Sequence, residues 1–350
     1  YTFSPGEPFV TVTSPDLREA FPVVDTKFVR SGGTATAVGD PAPVVVHGGF
    51  EAFSGNQPAN WAVDDPGIVT FMDTVNKHSG LASVRIHNPD TNPNKGRVSQ
   101  TIQVRPFRAY KMEAWVKTLN FSNPLSVKFY PLGVQNKREL FINRDLPMGS
   151  ASVAGTQDWS RYEADINSLE NTSITLFVMC AANNATGDVW FDDISLTEVG
   201  LFETSRKSST PVVVTGYAGS PTYTEGSSAD YVVGSQSLTI PGTSTIPPGA
   251  ALKVDWFQQA DMAENSGIPC VTAPLFFDVI RTNWGLVNTR LSPPGVHIKY
   301  NEMRVINWDP VYGVSGTLSN AAGLYYSNLV VKTVGIVDAL TPSARKYLWN

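Results

Sequence analysis

The chain has 350 residues, enough for two domains, since a single core seldom grows past roughly 250–300 residues. Apolar residues make up 42%, which supports a sizeable core and excludes a disordered chain. The net charge is −5 and no long basic run occurs, so nucleic acid is excluded as an expected partner.

Only 16% of residues are charged, well below the roughly 25% of an average soluble domain. With 8 Trp and 12 Tyr, such a weakly charged surface suits a sugar as partner, although most of these rings belong in a core. Cys180 and Cys270 are far apart and form neither a CxxC site nor a disulfide framework; two buried thiols are expected. No stretch is long and apolar enough to span a membrane. The chain opens at Tyr1 and stops at Tyr347-Leu348-Trp349-Asn350, which reads as a fragment of a longer protein carrying further domains.

Residues 1–45 are Pro-rich, with short strand-like pieces at Pro22-Val23-Val24 and Phe28-Val29-Arg30. They read as an extended segment or the end of a preceding domain. From 46 to 200 the β signals repeat. Ala82–Ile86, Val98–Val104, Tyr110–Val116, Ser126–Tyr130, Ser173–Val178 and Val189–Ile194 alternate apolar and polar residues. Period-two patterning with one buried face, repeated in many short strands, predicts an all-β sandwich or jelly roll.

After 200 the pattern changes. A Ser/Thr-rich, turn-rich stretch runs from 216 to 249. Strands are then predicted at Ala251–Trp256, Val296–Tyr300 and Arg345–Trp349. Helices are predicted over 274–287 and 320–340, the second ended by Thr341-Pro342. Strand–helix–strand order predicts βαβ units and a parallel sheet. His297, inside its strand, reads as a packed core histidine.

Within 46–200 a set of motifs falls in a fixed order. His47-Gly48-Gly49-Phe50-Glu51 and Asn60-Trp61 come first. His78-Ser79-Gly80-Leu81-Ala82-Ser83, Gln100-Thr101-Ile102, Tyr110 to Lys117 and Asp158-Trp159-Ser160-Arg161-Tyr162 follow, and Gly187-Asp188-Val189-Trp190-Phe191-Asp192-Asp193-Ile194 closes the set. The segment resembles carbohydrate-binding modules of families four and nine. The resemblance implies a glycan or polysaccharide partner and an extracellular or cell-surface setting. It also implies a structural Ca²⁺ held by Glu51 and an Asp of the closing strand.

The residues suggest the same cation independently. First and last strands of a jelly roll lie side by side, so Glu51 could meet Asp192 or Asp193 and share a hard cation, with carbonyls near Lys77 to Ser79 completing the shell. Strand alternation sets Asp192 and Asp193 on opposite faces, so at most one binds side-on. The plain alternative is strand-end carboxylates paired with Arg or Lys. Aromatic faces for a sugar are offered by Trp61, Tyr130, Trp159 and Trp190. Trp61 is flanked by loop, whereas Trp115, Trp159 and Trp190 sit in alternating strands and read more readily as core.

The 201–350 segment resembles part of a bacterial glycoside-hydrolase-like (β/α)₈ barrel. The matching residues are Asn301-Glu302-Met303-Arg304 and Asn307-Trp308-Asp309. A carboxylate just after a buried strand suits work on a glycosidic bond, which makes Glu302 the candidate catalytic residue. Arg304 is placed beside it, as a ligand-binding side chain or as its ion-pair partner. Asn301 stands where the resemblance expects an Asp, and only about four strands follow residue 200, short of an eight-stranded barrel.

Two functions lead from sequence, ahead of a third, a viral or phage receptor-binding jelly roll. One is an extracellular carbohydrate-active protein, a glycan-binding sandwich attached to part of a hydrolase-like barrel. The other is a non-catalytic extracellular structural protein, a surface-layer, filament or adhesion component that self-assembles from the same domains.

Overall fold

The computed structural model describes residues 20–38, 45–89, 96–135, 140–144, 153–180, 184–259, 273–299 and 318–349. The chain divides into two compact units. One comprises Phe21–Arg206 and Pro211–Gln258, and the other takes in the C-terminal segment from Gln259.

The alternating strands of the first unit build a two-sheet sandwich. Strand Ala109–Leu119 shows how: Tyr110, Met112, Ala114, Val116 and Thr118 are buried, while Lys111, Glu113, Trp115 and Lys117 face outward. Six strands form one sheet, in the order Phe141–Arg144, Gln157–Asn167, Ala109–Leu119, Asp188–Glu198, Ser83–His87, Thr70–Asp73. Four form the other, in the order Val127–Gly133, Ser173–Cys180, Gly96–Gln103, Ala62–Asp64. Val84, Ile86, Val116, Val189 and Phe191 of the first sheet, and Val98, Ile174, Leu176 and Val178 of the second, are all buried. Fully burying each large aliphatic or aromatic contributes about 1.5–3 kcal/mol, so these inward rows hold the sheets together.

The segment that opens the sandwich is a turn over 46–49 rather than a strand. It is pinned to the closing strand by the Ile194 N–H donating to the Gly48 carbonyl at 3.0 Å. Behind it Phe50 is fully buried against Trp61, ring centroids 5.2 Å apart.

A second sheet flanks the sandwich in sequence on both sides. Its seven strands run Thr222–Tyr223, Val213–Gly216, Ala251–Gln259, Ala20–Ser31, Thr34–Ala37, Leu238–Thr239, Val232–Val233. Phe28, Val214, Tyr231, Leu238, Leu252, Val254 and Trp256 share one core beneath it. The sandwich is therefore an insertion between Ala37 and Val213. The strands of the Pro-rich N-terminal segment pair with strands beyond residue 200, and the turn-rich 216–249 stretch supplies three short ones. Strand Ala251–Gln259, expected to start the αβ part, lies antiparallel to Val213–Gly216 in this sheet. Periodicity identifies strands but is silent on partners two hundred residues away.

The buried Arg108 joins the two β layers. Its Nη1 donates to the Asp25 carbonyl at 2.5 Å and to Glu198 Oε1 at 3.2 Å. Asn167 Nδ2 donates to the Pro22 carbonyl at 3.1 Å.

The second unit contains helices Pro274–Leu291 and Leu318–Leu340 and strands Gly295–Lys299 and Arg345–Trp349. Pro274 opens the first helix, where its missing N–H costs nothing, and Ser292 ends it in the left-handed region at φ 42°. The two strands are parallel, Val296 opposite Lys346 and Ile298 opposite Leu348. Val296, Ile298, Val337 and Ala344 are buried together, with Trp284 and Val334 packed against them. Among the described residues this is one βαβ unit; a barrel is not shown. His297 is exposed rather than a core histidine, because Val296 and Ile298 take the inward parity. Glu302 and Arg304, with Asn301, Trp308, Asp309 and Cys270, lie outside the described residues. Cys180 is a buried free thiol, its pKa pushed up by burial.

The pinned opening turn leaves no room at Gly48, where an added Cβ would lie 2.0 Å from the Ile194 carbonyl oxygen. We expect Gly48→Ala to destabilise the β unit by roughly 2–4 kcal/mol. Gly242→Ala, where nothing stands within 4 Å, should stay within about 0.5 kcal/mol. Equal denaturant midpoints for the two variants would contradict this packing.

Candidate functional site

Glu51, Asp192 and Asp193 come together around one loop, residues 77–81. The Asp192 carboxylate accepts backbone N–H bonds from His78 at 2.8 Å, Ser79 at 3.2 Å and Asp193 at 2.8 Å. Asp193 takes the His78 ring Nδ1 at 2.6 Å and the Ser79 hydroxyl at 2.9 Å. Glu51 accepts the Leu81 N–H in a short bond. Gly80 makes this approach possible, since a Cβ there would lie 1.7 Å from Glu51 Oε1 and its φ is +55°.

The alternation argument separating the two aspartates does not hold here. The closing strand's register against Ala109–Leu119 shifts between Asp192 and Ser195, and Asp193 has a φ of 46°. A bulge re-aims side chains, and this one turns both carboxylates to the same loop. Among the described residues no Lys or Arg pairs with Glu51, Asp192 or Asp193; His78 and backbone N–H groups do. No group of three or more His, Cys, Asp or Glu among the described residues gathers as a ready metal shell. Asp193 Oδ1 and Glu51 Oε1 nonetheless flank the same glycine, 3.2 and 3.6 Å from the Cβ position of Gly49. Asp192 is wholly buried, and burial pushes its pKa up to about 6 against the opposing pull of its three N–H donors.

His78 leads from this pocket to the outward face of the six-stranded sheet. Its ring lies nearly parallel on Trp115, centroids 3.7 Å apart at 14°, and Trp159 meets it edge-on at 5.8 Å. All three rings are half-buried. Charged pairs border them: Lys117 with Asp158 at 3.1 Å and Arg161 with Glu113 at 3.2 Å. Further across the face, Arg85 lies over the rings of Phe71 and Trp190 at 5.9 and 5.8 Å and pairs with Asp188 at 2.6 Å.

The expected sugar-facing tryptophans separate accordingly. Trp61 is 3% exposed, with Nε1 donating to the His47 carbonyl at 3.2 Å, so it is core and not a platform. Trp190 is 2% exposed and donates to Asp73 Oδ2 at 2.7 Å. Burial would raise the Asp73 pKa, but that bond and donors from Asn76 and Val75 outweigh it and hold the pKa below its usual value. Trp159 is part-exposed because it lies where the register slips between Gln157 and Ser160. The side chain of Tyr130 lies outside the described residues. Strand alternation alone reads Trp115 as core, and the motif containing His78 gives its ring no role; both rings lie half-buried on the outward face. Trp115 shares its parity with Lys111, Glu113 and Lys117, the polar side of the strand, and that signal was available.

No protein-family model matches the chain, and no curated protein matches it. The solved structures similar to part of the chain include these three. One is the CBM22-1 xylan-binding domain from Paenibacillus barcinonensis Xyn10C, at 16% identity, covering 46% of this chain and 96% of that one, with a TM-score of 0.33. Another is TmCBM61 in complex with beta-1,4-galactotriose, at 16% identity, covering 44% and 97%, with a TM-score of 0.32. The third is the K3 cleaved adhesin domain of Lys-gingipain from Porphyromonas gingivalis, at 14% identity, covering 44% and 99%, with a TM-score of 0.29. No described helix is long and apolar enough to cross a membrane.

Folding raises the Asp192 pKa, so the folded chain holds that proton more tightly than the unfolded chain does. With a chelator present, stability should be greatest below about pH 4 and fall as pH rises to about 6, by of the order of 2 kcal/mol. Thermal melts across this range should show the fall, and Asp192→Asn should flatten it. A slope unchanged in the variant would assign the effect elsewhere.

Proposed function

We propose that residues 46–200 form an extracellular glycan-binding module, with sugar lying on the outward face of the six-stranded sheet. The observation that carries this reading is the ring group of His78, Trp115 and Trp159 on a face where alternation calls for polar side chains. Pyranose C–H faces stack on such rings, and neighbouring polar groups fix their orientation. The Lys117–Asp158 and Arg161–Glu113 pairs supply those hydrogen-bonding groups. The ordered motifs shared with carbohydrate-binding modules support both the glycan and the extracellular setting.

Glu51, Asp193 and Asp192 are assigned a structural Ca²⁺ in the same proposal, with backbone carbonyls near Lys77 to Ser79. The donors are all oxygen, which fits a hard cation. The Gly80 position that admits Glu51 and the fully buried Asp192 are what such a site would require. Bound Ca²⁺ would supply positive charge that lets neighbouring carboxylates ionise together. The proposal concerns binding by residues 46–200; Glu302 and Arg304 lie outside the described residues.

On a glycan array, Trp115→Ala and Trp159→Ala should each lower affinity for the best-retained glycan about tenfold, as expected from losing one stacking contact of about 1.4 kcal/mol. Their circular dichroism should match the parent. Trp61→Ala should instead lose about 3–5 kcal/mol of stability, as a core deletion does. Retention of no glycan by the parent, or full retention by both face variants, would end the reading.

Saturating Ca²⁺ at 100 times its Kd should stabilise the chelator-treated protein by about 2.7 kcal/mol. The double variant Glu51→Gln, Asp193→Asn should not respond. A melting temperature indifferent to Ca²⁺ in the parent removes the cation from the proposal.

A further inference from the structure

We infer that His78 is the link through which the carboxylate pocket sets the aromatic face. This inference rests on the glycan and cation reading above.

His78 is held from both sides. Its backbone N–H donates to Asp192 Oδ2 at 2.8 Å and its ring Nδ1 contacts Asp193 Oδ2 at 2.6 Å. A carboxylate only accepts, so that contact places the proton on Nδ1. The same ring covers Trp115 at 3.7 Å and meets the edge of Trp159. Trp115 in turn is the cross-strand partner of Asp192. One residue therefore reaches both aspartates of the pocket, Asp192 through its backbone N–H and Asp193 through its ring, and that ring meets both indoles of the face.

The other contacts of the aspartates stay local. Asp193 Oδ1 takes the Ser79 hydroxyl, and the remaining donors to Asp192 are the N–H groups of Ser79 and Asp193 itself. A change in the charge that Asp193 presents thus reaches the face through the imidazole. When its carboxylate is shared with a cation it pulls less on Nδ1–H, and the ring re-seats over Trp115. Linkage makes the effect reciprocal, so a ligand resting on Trp115 changes cation affinity by the same factor.

The test titrates Ca²⁺ into the chelator-stripped full chain, following heat by calorimetry and tryptophan emission in parallel. The parent should show both, saturating at the same concentration. His78→Phe keeps a flat ring for the stack but cannot bond Asp193, so it should retain the heat and lose the emission change. Trp115→Phe should do likewise, assigning the signal among the eight tryptophans. An emission change that survives in His78→Phe, or heat without any emission change in the parent, overturns the link alone. Absence of heat in the parent overturns the cation reading and the link with it.

Discussion

The bulge in the closing strand is the constraint on which the site depends. Regular pleating would send Asp192 and Asp193 to opposite sides of the sheet. The slipped register and the left-handed backbone at Asp193 turn both carboxylates onto residues 78–79 instead. A loop with an exposed Gly80 and Leu81 then gains five charge-assisted hydrogen bonds to Glu51, Asp192 and Asp193. The position of His78, and so of the aromatic group, follows from that grip. Burial of an ionised Asp192 is costly by itself, and the three backbone N–H groups that bond it offset part of that cost.

Much of the sandwich was legible in the sequence. Strands at Ser83–His87, Gly96–Gln103, Ala109–Leu119, Val127–Gly133, Ser173–Cys180 and Asp188–Glu198 lie within a few residues of the alternating runs. Both C-terminal helices and the parallel pair that flanks the second were legible for the same reason, local periodicity. The meeting of Glu51 with the Asp192–Asp193 pair was legible from ordered motifs.

What escaped was non-local or irregular. The pairing of the 20–37 hairpin with strands after residue 212 depends on tertiary packing alone. Trp159 sits at a slip in register, where parity counts fail. Trp61 looked accessible because loops flank it, yet Phe50 and the His47 carbonyl hold it inside. Trp115, read as core, was the avoidable misassignment: three lysine and glutamate neighbours of like parity mark its side of the strand as the outer one.

The insertion has a mechanical consequence. Modules strung on a single flexible linker swivel freely about it. This sandwich instead leaves from Thr34–Ala37 and returns at Val213–Gly216, strands separated by two others in the same sheet. Three inter-strand spacings put the two attachments about 14 Å apart. Arg108, bonded to both Asp25 and Glu198, adds a brace between them. Two separated chain connections and a buried side-chain brace restrict swivelling more than a single linker would, so force on the sandwich passes into the seven-stranded sheet as through a bracket rather than a tether.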